Sequence, residues 1–566
     1  MKINQIFKFF TATTFFFLIA FNFQVFAEKI SIDANKLIKE WHYLPVKPGK
    51  ISNKKVRPEP DMKMIFNSDN TFSYNHLSKN ISITGSWKID ANAQKLILFR
   101  NDDVLREFKI LRLNDNELVL MSGENGFVYR SSKASESFFT SVRGLLGILV
   151  LIFIVFIFSN NKKRINWYIP FIGLVLQFIL AFSILKIPAI RTGFGWISSF
   201  FVHLLQFTDE GARFVFGSLV DKPDQFGIIF AFKILPTVIF FSAFTSLLYY
   251  FGILQKIVWV FAWVMSRLMK LSGAESLAAA ANIFIGQTEA PLVIKPYLSR
   301  MSESEILALM TGGMATIAGG VMAAYISFLG GPDPEQQKLF ATHLLTASIM
   351  NAPASLYLAK ILFPETGDVN KDLKVSKEVI GSNVLDSLAR GTTDGLKLAV
   401  NVGAMLLVFT AMMALLNYIV FHWIGNPTGL NELIAEKSNG QYSGLNLQFI
   451  LGMVFSPVAW LIGVSSTDLV MVGQLLGEKT ILNEFFAFTS MSGLKNSYLL
   501  TNPKSIIIAT YALCGFANFA SIGIQLGGIG ALAPNQRITL SKMAMRALLG
   551  GTVASLLSAS IVGLMI

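Results

Sequence analysis

The sequence predicts an α-helical polytopic membrane protein with about eight transmembrane helices, two re-entrant hairpins in inverted repeats, and a small N-terminal all-β domain. Three observations carry this expectation. Hydrophobic residues make up 53% of the chain and charged ones only 15%, a balance far from that of a soluble domain. Apolar runs long enough to cross a bilayer recur from Val142 onward. Two further stretches are apolar at both ends but polar in the middle, and lipid tolerates such breaks only where protein or a wet cavity covers them.

Residues 1–27 read as a secretory signal: Lys2 and Lys8 precede an apolar run from Phe9 to Phe21, and Val25-Phe26-Ala27 offers a cleavage site. Residues 28–135 are polar and alternate. Strands are expected at 62–66, 71–74, 81–89, 95–100, 104–113, 117–121 and 127–130, most of them separated by Asp/Asn/Gly turns. Trp41, the G-x-W at 85–87 and the L-N-D-N-E-L-V-L at 113–120 resemble lipocalin-like domains, barrels that can hold a small ligand.

Beyond residue 135 the chain divides into N-terminal membrane helices (136–226), a first repeat (227–363) and a second, inverted one (395–566). Spans are expected at 142–159, 165–185, 227–251, 303–329, 335–363, 395–420, 506–529 and 543–566. The stretch 196–220 mixes Asp209, Glu210 and Arg213 with aromatics and suits a helix lying in the interface. The formal net charge is +13, an excess expected of cytoplasmic loops rather than of a nucleic-acid surface. Lys162, Lys163 and Arg164, then Lys256, Arg267 and Lys270, then Lys371, Lys374, Lys377 and Arg390, then Arg537, Lys542 and Arg546 alternate with less basic loops. This places the β-domain and both termini outside, in the periplasm of a bacterial inner membrane. Cys514 is the only cysteine, which excludes disulfide frameworks, thiolate metal sites and CxxC redox chemistry.

The first interrupted stretch, 276–298, carries Gly286-Gln287-Thr288-Glu289 and Pro291; the second, 468–499, carries Asn483-Glu484. Each suits a hairpin that enters and leaves on one side. Gly313-Met314-Ala315-Thr316-Ile317-Ala318-Gly319 follows the first, and Gly515-Phe516-Ala517-Asn518-Phe519-Ala520-Ser521 follows the second with Gly, Ala and Ala in register. Span, amphipathic segment, hairpin, span and span thus occur twice. A unit of three crossings reverses its orientation on repetition, the architecture of secondary transporters with substrate held among discontinuous helices. The span carrying Gly515, Asn518 and Ser521 is the expected place for such a break.

The motifs G-Q-T-E-A-P-L at 286–292, M-A-T-I-A-G-G-V at 314–321, N-E-F at 483–485, C-G-F-A-N at 514–518 and L-G-G-I-G-A-L-A-P at 526–534 resemble those of the concentrative nucleoside transporter family over roughly residues 140–566. The resemblance implies a homotrimer in which scaffold helices hold a mobile domain carrying both hairpins. Nucleoside uptake would be driven by sodium, or by protons in some members, through an elevator-like motion, and Gly286, leaving room beside the base, is read as tolerance of both purines and pyrimidines. The resemblance implies that Gln287 and Thr288 bond the base, that Val321 and Phe516 pack against it, and that Glu289, Glu484, Asn518 and Ser521 hold the ribose hydroxyls. Sodium would sit on the Asn282 and Thr316 side chains and the Ile285 and Ile317 carbonyls. Phe486, Phe488 and Ala520 depart from the residues frequent in the family and bear on base selectivity.

The chemistry is sensible on its own terms. Ribose offers hydroxyl donors, and carboxylates accept them in bonds about twice as strong as neutral ones. A base edge presents donors and acceptors, as an amide does. A membrane enzyme is not expected: the five histidines show no HExxH spacing, and no G-x-S-x-G or P-loop occurs. No cofactor is expected besides the co-transported cation. A sensor role for the β-domain would need a cytoplasmic output domain, and no inward loop is long enough for one.

Overall fold

A computed structural model describes residues 34–44, 62–76, 81–90, 94–100, 103–113, 117–123, 125–131, 138–221, 229–367, 370–373, 381–438, 441–497 and 499–566. The expected signal segment, 1–27, lies outside the described residues. The chain divides into two compact units. The first comprises Met1–Phe138, Leu415–Met453 and Met491–Pro503, and the second Phe139–Ala414, Val454–Ser490 and Lys504–Ile566.

The first unit contains a closed antiparallel barrel of eight strands in sequential order: β1 (Glu40–Leu44), β2 (Met62–Phe66), β3 (Thr71–His76), β4 (Ile81–Asp90), β5 (Lys95–Arg100), β6 (Asp103–Leu113), β7 (Glu117–Ser122) and β8 (Asn125–Ser131). Strand β1 closes the ring by pairing with both β2 and β8. It was not among the expected strands, because five residues flanked by unpatterned sequence give little alternation to read. Inward residues fill the barrel: Trp41, Phe66, Phe72, Trp87, Leu96 and Leu118 belong to one buried cluster. Gly85 in the G-x-W motif is required by packing, since a Cβ there would overlap the Phe99 carbonyl of the neighbouring strand.

The second unit is helical. It opens with α1 (Phe138–Ile157), α2 (Tyr168–Lys186) and α3 (Pro188–Phe216). The expected interfacial helix thus begins earlier than residue 196, started by Pro188 at the first turn. Then come α4 (Leu235–Tyr250), α5 (Ile253–Met269) and α6 (Gly273–Asn282). Helix α6 starts with a Ser272–Glu275 capping box and ends at Asn282, four residues before Gly286.

The expected span 303–329 is two helices, α7 (Glu303–Ala315) and α8 (Gly319–Gly330), separated at Thr316-Ile317-Ala318. After α9 (Pro334–Leu362), α10 runs from Val384 to Ile419, longer than the span expected at 395–420. Next are α11 (Leu447–Leu461), the second hairpin's α12 (Leu469–Ile481) and α13 (Glu484–Asn496), then α14 (Pro503–Leu513), α15 (Phe519–Leu532) and α16 (Arg537–Met565); the end of α10, the start of α11 and the end of α13 fall in the first unit's Leu415–Met453 and Met491–Pro503. The span expected at 506–529 is broken between Leu513 and Phe519. Both repeats therefore carry a helix break after their hairpin.

Among the described residues, five helical stretches are long and apolar enough to cross a membrane: Tyr168–Lys186, Phe230–Tyr250, Glu303–Gly330, Val384–Thr428 and Pro534–Met565. Helix α9 is not one of them although its 29 residues reach ~44 Å at the helical rise. Its buried polar residues, among them His343, Thr346, Ser348, Asn351 and Lys360, lower its hydropathy while facing protein.

Candidate functional site

The two helix breaks meet inside the second unit. The Phe516 N–H donates to the Thr316 carbonyl at 3.3 Å. Gly515 has φ of +146°, and a Cβ there would lie 2.6 Å from the Ala315 carbonyl oxygen. Only glycine permits that backbone and that approach. From α9, the Asn351 amide donates to the carbonyls of Ala315 (2.7 Å) and Cys514 (3.0 Å), which the ended helices leave without intrahelical partners. Ser558 in turn donates to Asn351 and accepts from Gln177 at 2.8 Å, whose amide oxygen accepts from Tyr357 at 2.9 Å.

Beside this joint lies a chain of polar side chains. Glu484 occupies the first position of α13, where the helix dipole favours negative charge. Its two carboxylate oxygens accept from Asn518 Nδ2 (2.8 Å) and from the Tyr325 hydroxyl (3.1 Å). Asn518 also caps α15, its Oδ1 accepting from the Ser521 N–H at 2.9 Å. The Ser521 hydroxyl accepts from Gln287 Nε2 at 3.2 Å, and Gln287 Oε1 accepts from Gln525 Nε2 at 3.0 Å. Gln525 also donates to the Met310 carbonyl at 3.0 Å. Gln287, Glu484, Asn518, Ser521 and Gln525 are all buried. The second hairpin, the second break and the first hairpin are thereby joined side chain to side chain.

The structure thus brings together four residues singled out from sequence: Gln287, Glu484, Asn518 and Ser521. Val321 is buried and Phe516 half-buried, on the helix and the break that border the chain. Thr288 and Glu289 are exposed instead. Glu289 turns back on its own hairpin, one carboxylate oxygen accepting from the Gly286 N–H at 2.8 Å. A Cβ on residue 286 would sit 3.1 Å from the same oxygen, a tight approach to the end of an exposed side chain that can turn aside.

Three participants were not foreseen. Tyr325 lies one turn after Val321, bonds Glu484, and packs against Phe488 (ring centroids 4.3 Å apart) and Phe485 (4.9 Å). Gln525 lies one turn after Ser521, and Asn351 sits mid-helix. Tyr325 and Gln525 are polar residues on apolar helices and Asn351 is one of several on α9, signals present in the sequence but without a partner to give them meaning.

The residues expected to hold sodium show one conspicuous feature. Both polar atoms of the buried Asn282 side chain lack a hydrogen-bond partner, as does the buried hydroxyl of Thr311. An unpartnered buried acceptor costs roughly 1–3 kcal/mol, and Asn282 Oδ1 is an acceptor that an oxygen-seeking cation fits, whereas its Nδ2 is a donor and no cation ligand. Thr316 donates its hydroxyl to the Gly312 carbonyl at 2.9 Å, leaving the hydroxyl's lone pairs free to accept. Ile285 and Ile317 are buried close to the ends of α6 and α7, where unwound backbone carbonyls lie.

Two chemical capacities follow. Glu484 retains unused lone pairs on both oxygens for hydroxyl donors. Gln287, after its two bonds, keeps one N–H and one carbonyl lone pair, a donor–acceptor couple suited to a flat heterocycle edge.

Residues 146–219, 231–332 and 343–563 match the family models described as Na+ dependent nucleoside transporter N-terminus, Nucleoside recognition, and Na+ dependent nucleoside transporter C-terminus. An uncharacterized transporter of Haemophilus influenzae is 40% identical over 429 residues, covering 75% of this chain and 97% of the relative. Mouse solute carrier family 28 member 3 is 39% identical over 434 residues, 74% of this chain and 58% of the relative. Rat sodium/nucleoside cotransporter 1 is 37% identical over the same length, 74% of this chain and 63% of that protein. The structure of CNTnw in an inward-facing substrate-bound state aligns with TM-score 0.66 and 36% identity, covering 75% of this chain and 97% of that one. With the family models spanning the membrane region and a near-full-length relative at this identity, the chain belongs to the Na+-dependent, concentrative nucleoside transporter family.

Proposed function

We propose that this protein is a sodium-coupled symporter that imports purine and pyrimidine nucleosides across a bacterial inner membrane. The observation that carries the reading is the Glu484–Asn518–Ser521–Gln287 chain, which sets a hydroxyl-accepting carboxylate and a base-reading amide beside the meeting of two helix breaks. Glu484, Asn518 and Ser521 take the ribose, and Gln287 reads the base with Thr288. Val321 and Phe516 supply apolar contact to the base. Glu289 joins the ribose contacts by leaving its bond to Gly286. Sodium takes the Asn282 and Thr316 side chains with the Ile285 and Ile317 carbonyls.

The residues named lie on both hairpins and both breaks, which favours their moving as one body in an elevator-type cycle, with the protein assembled as a homotrimer. One charge entering along the membrane potential gains about 2.3 kcal/mol per 100 mV, enough to drive accumulation. The N-terminal barrel lies on the periplasmic side in this arrangement, and the basic loops lie inside.

The test is uptake of a panel of labelled nucleosides into proteoliposomes, with sodium and pH gradients imposed separately. The expected result is sodium-dependent accumulation of uridine and adenosine. Accumulation that follows the pH gradient alone would assign the coupling to protons, and no accumulation by folded protein would overturn the reading.

A further inference from the structure

Resting on the transport reading, we infer that the β-barrel is a clamp on the second hairpin, fixing the segment through which the hairpin leaves. The observation is a bonded group within the first compact unit. Arg112 of β6 pairs with Glu117 of β7 at 2.8 Å. The same guanidinium donates to the Leu499 carbonyl at 2.6 Å and the Thr501 hydroxyl at 3.3 Å. Thr501 donates to the other Glu117 oxygen at 3.2 Å. Leu499 to Thr501 is the link between α13 and α14, three residues past the end of the helix that Glu484 begins.

The barrel is built to make this contact. Along β6, Phe108 and Ile110 point inward; strict alternation would turn Arg112 inward too. A bulge between Ile110 and Arg112 inserts one residue against β7. It restores Leu113 to the buried core and turns Arg112 out, the re-aiming that bulges perform. The neighbouring outer face is covered as well. Val119 and Val128 form a cluster outside the main barrel core with 0% and 2% exposure, and Leu500 and Thr501 are buried. An Arg held by a carboxylate on one side and a backbone carbonyl on the other is a fixed fork rather than a mobile surface charge.

The consequence runs along one helix. Helix α13 has Glu484 at its start and the clamped segment just past its end, so holding Leu499 and Thr501 limits how far α13 shifts or frays. The barrel thereby presets the second hairpin for nucleoside capture, and Arg112 and Glu117 are positioning residues for a site they do not touch.

The experiment measures nucleoside uptake by the full chain in proteoliposomes. Arg112→Ala and, separately, Thr501→Val are expected to raise the half-saturating uridine concentration about threefold to tenfold while leaving the maximal rate near that of wild type. Arg112→Lys, which keeps a charge but not the fork, falls between. A Glu117→Cys/Thr501→Cys double variant is expected to show the same weakening and to regain wild-type half-saturation after a short bis-maleimide joins the two; Cys514 is buried and does not compete. Wild-type half-saturation in both single variants overturns the clamp, as does a crosslink that forms without restoring affinity or does not form at all. A wild-type protein that takes up no nucleoside overturns the transport reading instead, while crosslink formation still reports on the contact.

Discussion

Asn518 donates to Glu484 across 2.8 Å while the other end of the same amide caps α15. One side chain thus sets both the start of a half-helix and the position of a buried carboxylate. Glu484→Gln keeps the shape but removes the charge and sets one amide against another. Loss of a charge-assisted bond of roughly 1.5–3 kcal/mol is expected to lower uptake at low nucleoside concentration by about ten- to a hundredfold. Initial rates of labelled uridine uptake check this, and near-normal transport would reject the role given to Glu484.

Gln525 ties Gln287 to the Met310 carbonyl. Gln525→Leu leaves two buried acceptors short of a donor and frees the Gln287 amide to turn. The expected outcome is a loss of about 1–3 kcal/mol in stability together with altered preference between purine and pyrimidine nucleosides. Thermal unfolding and competition uptake measure the two effects; a stability change with unaltered preference would make Gln525 a packing residue only.

Asn282 carries two buried polar atoms without partners. Asn282→Ala removes that unmet demand, so the fold is expected to survive and the sodium concentration for half-maximal uptake to rise several-fold. A sodium titration at fixed nucleoside decides it. An unchanged curve would move the cation elsewhere.

Asn351 bridges the carbonyls at both breaks. Asn351→Leu strands both, at about 1–3 kcal/mol each, and is expected to be the most destabilising of these substitutions, seen as the largest drop in unfolding temperature. A drop no greater than that of Gln525→Leu would show that the joint has other support.

How much of this was legible depends on range. Strand alternation and turn residues disclosed seven of the eight strands, because their pattern is local; β1 closes the ring through pairings with strands far away in sequence. Polar residues in apolar runs marked the hairpins, and the Gly/Ala register marked the second break. The first break is hidden in the sequence, since Thr316-Ile317-Ala318 is ordinary helix composition. Gln287, Glu484, Asn518 and Ser521 were found through motifs, whereas Tyr325, Gln525 and Asn351 needed their partners to be seen. The bonding of Glu289 to its own turn and the outward swing of Arg112 at a bulge are geometric facts with no linear signature.

Closure of the barrel has a consequence for life at a crowded membrane surface. A sheet whose first strand pairs with its last exposes no unsatisfied strand edge, so neighbouring copies confined to the same plane find no template for adding strands to one another. The domain can be concentrated in two dimensions without the risk of edge-to-edge aggregation that an open sheet of the same size would carry.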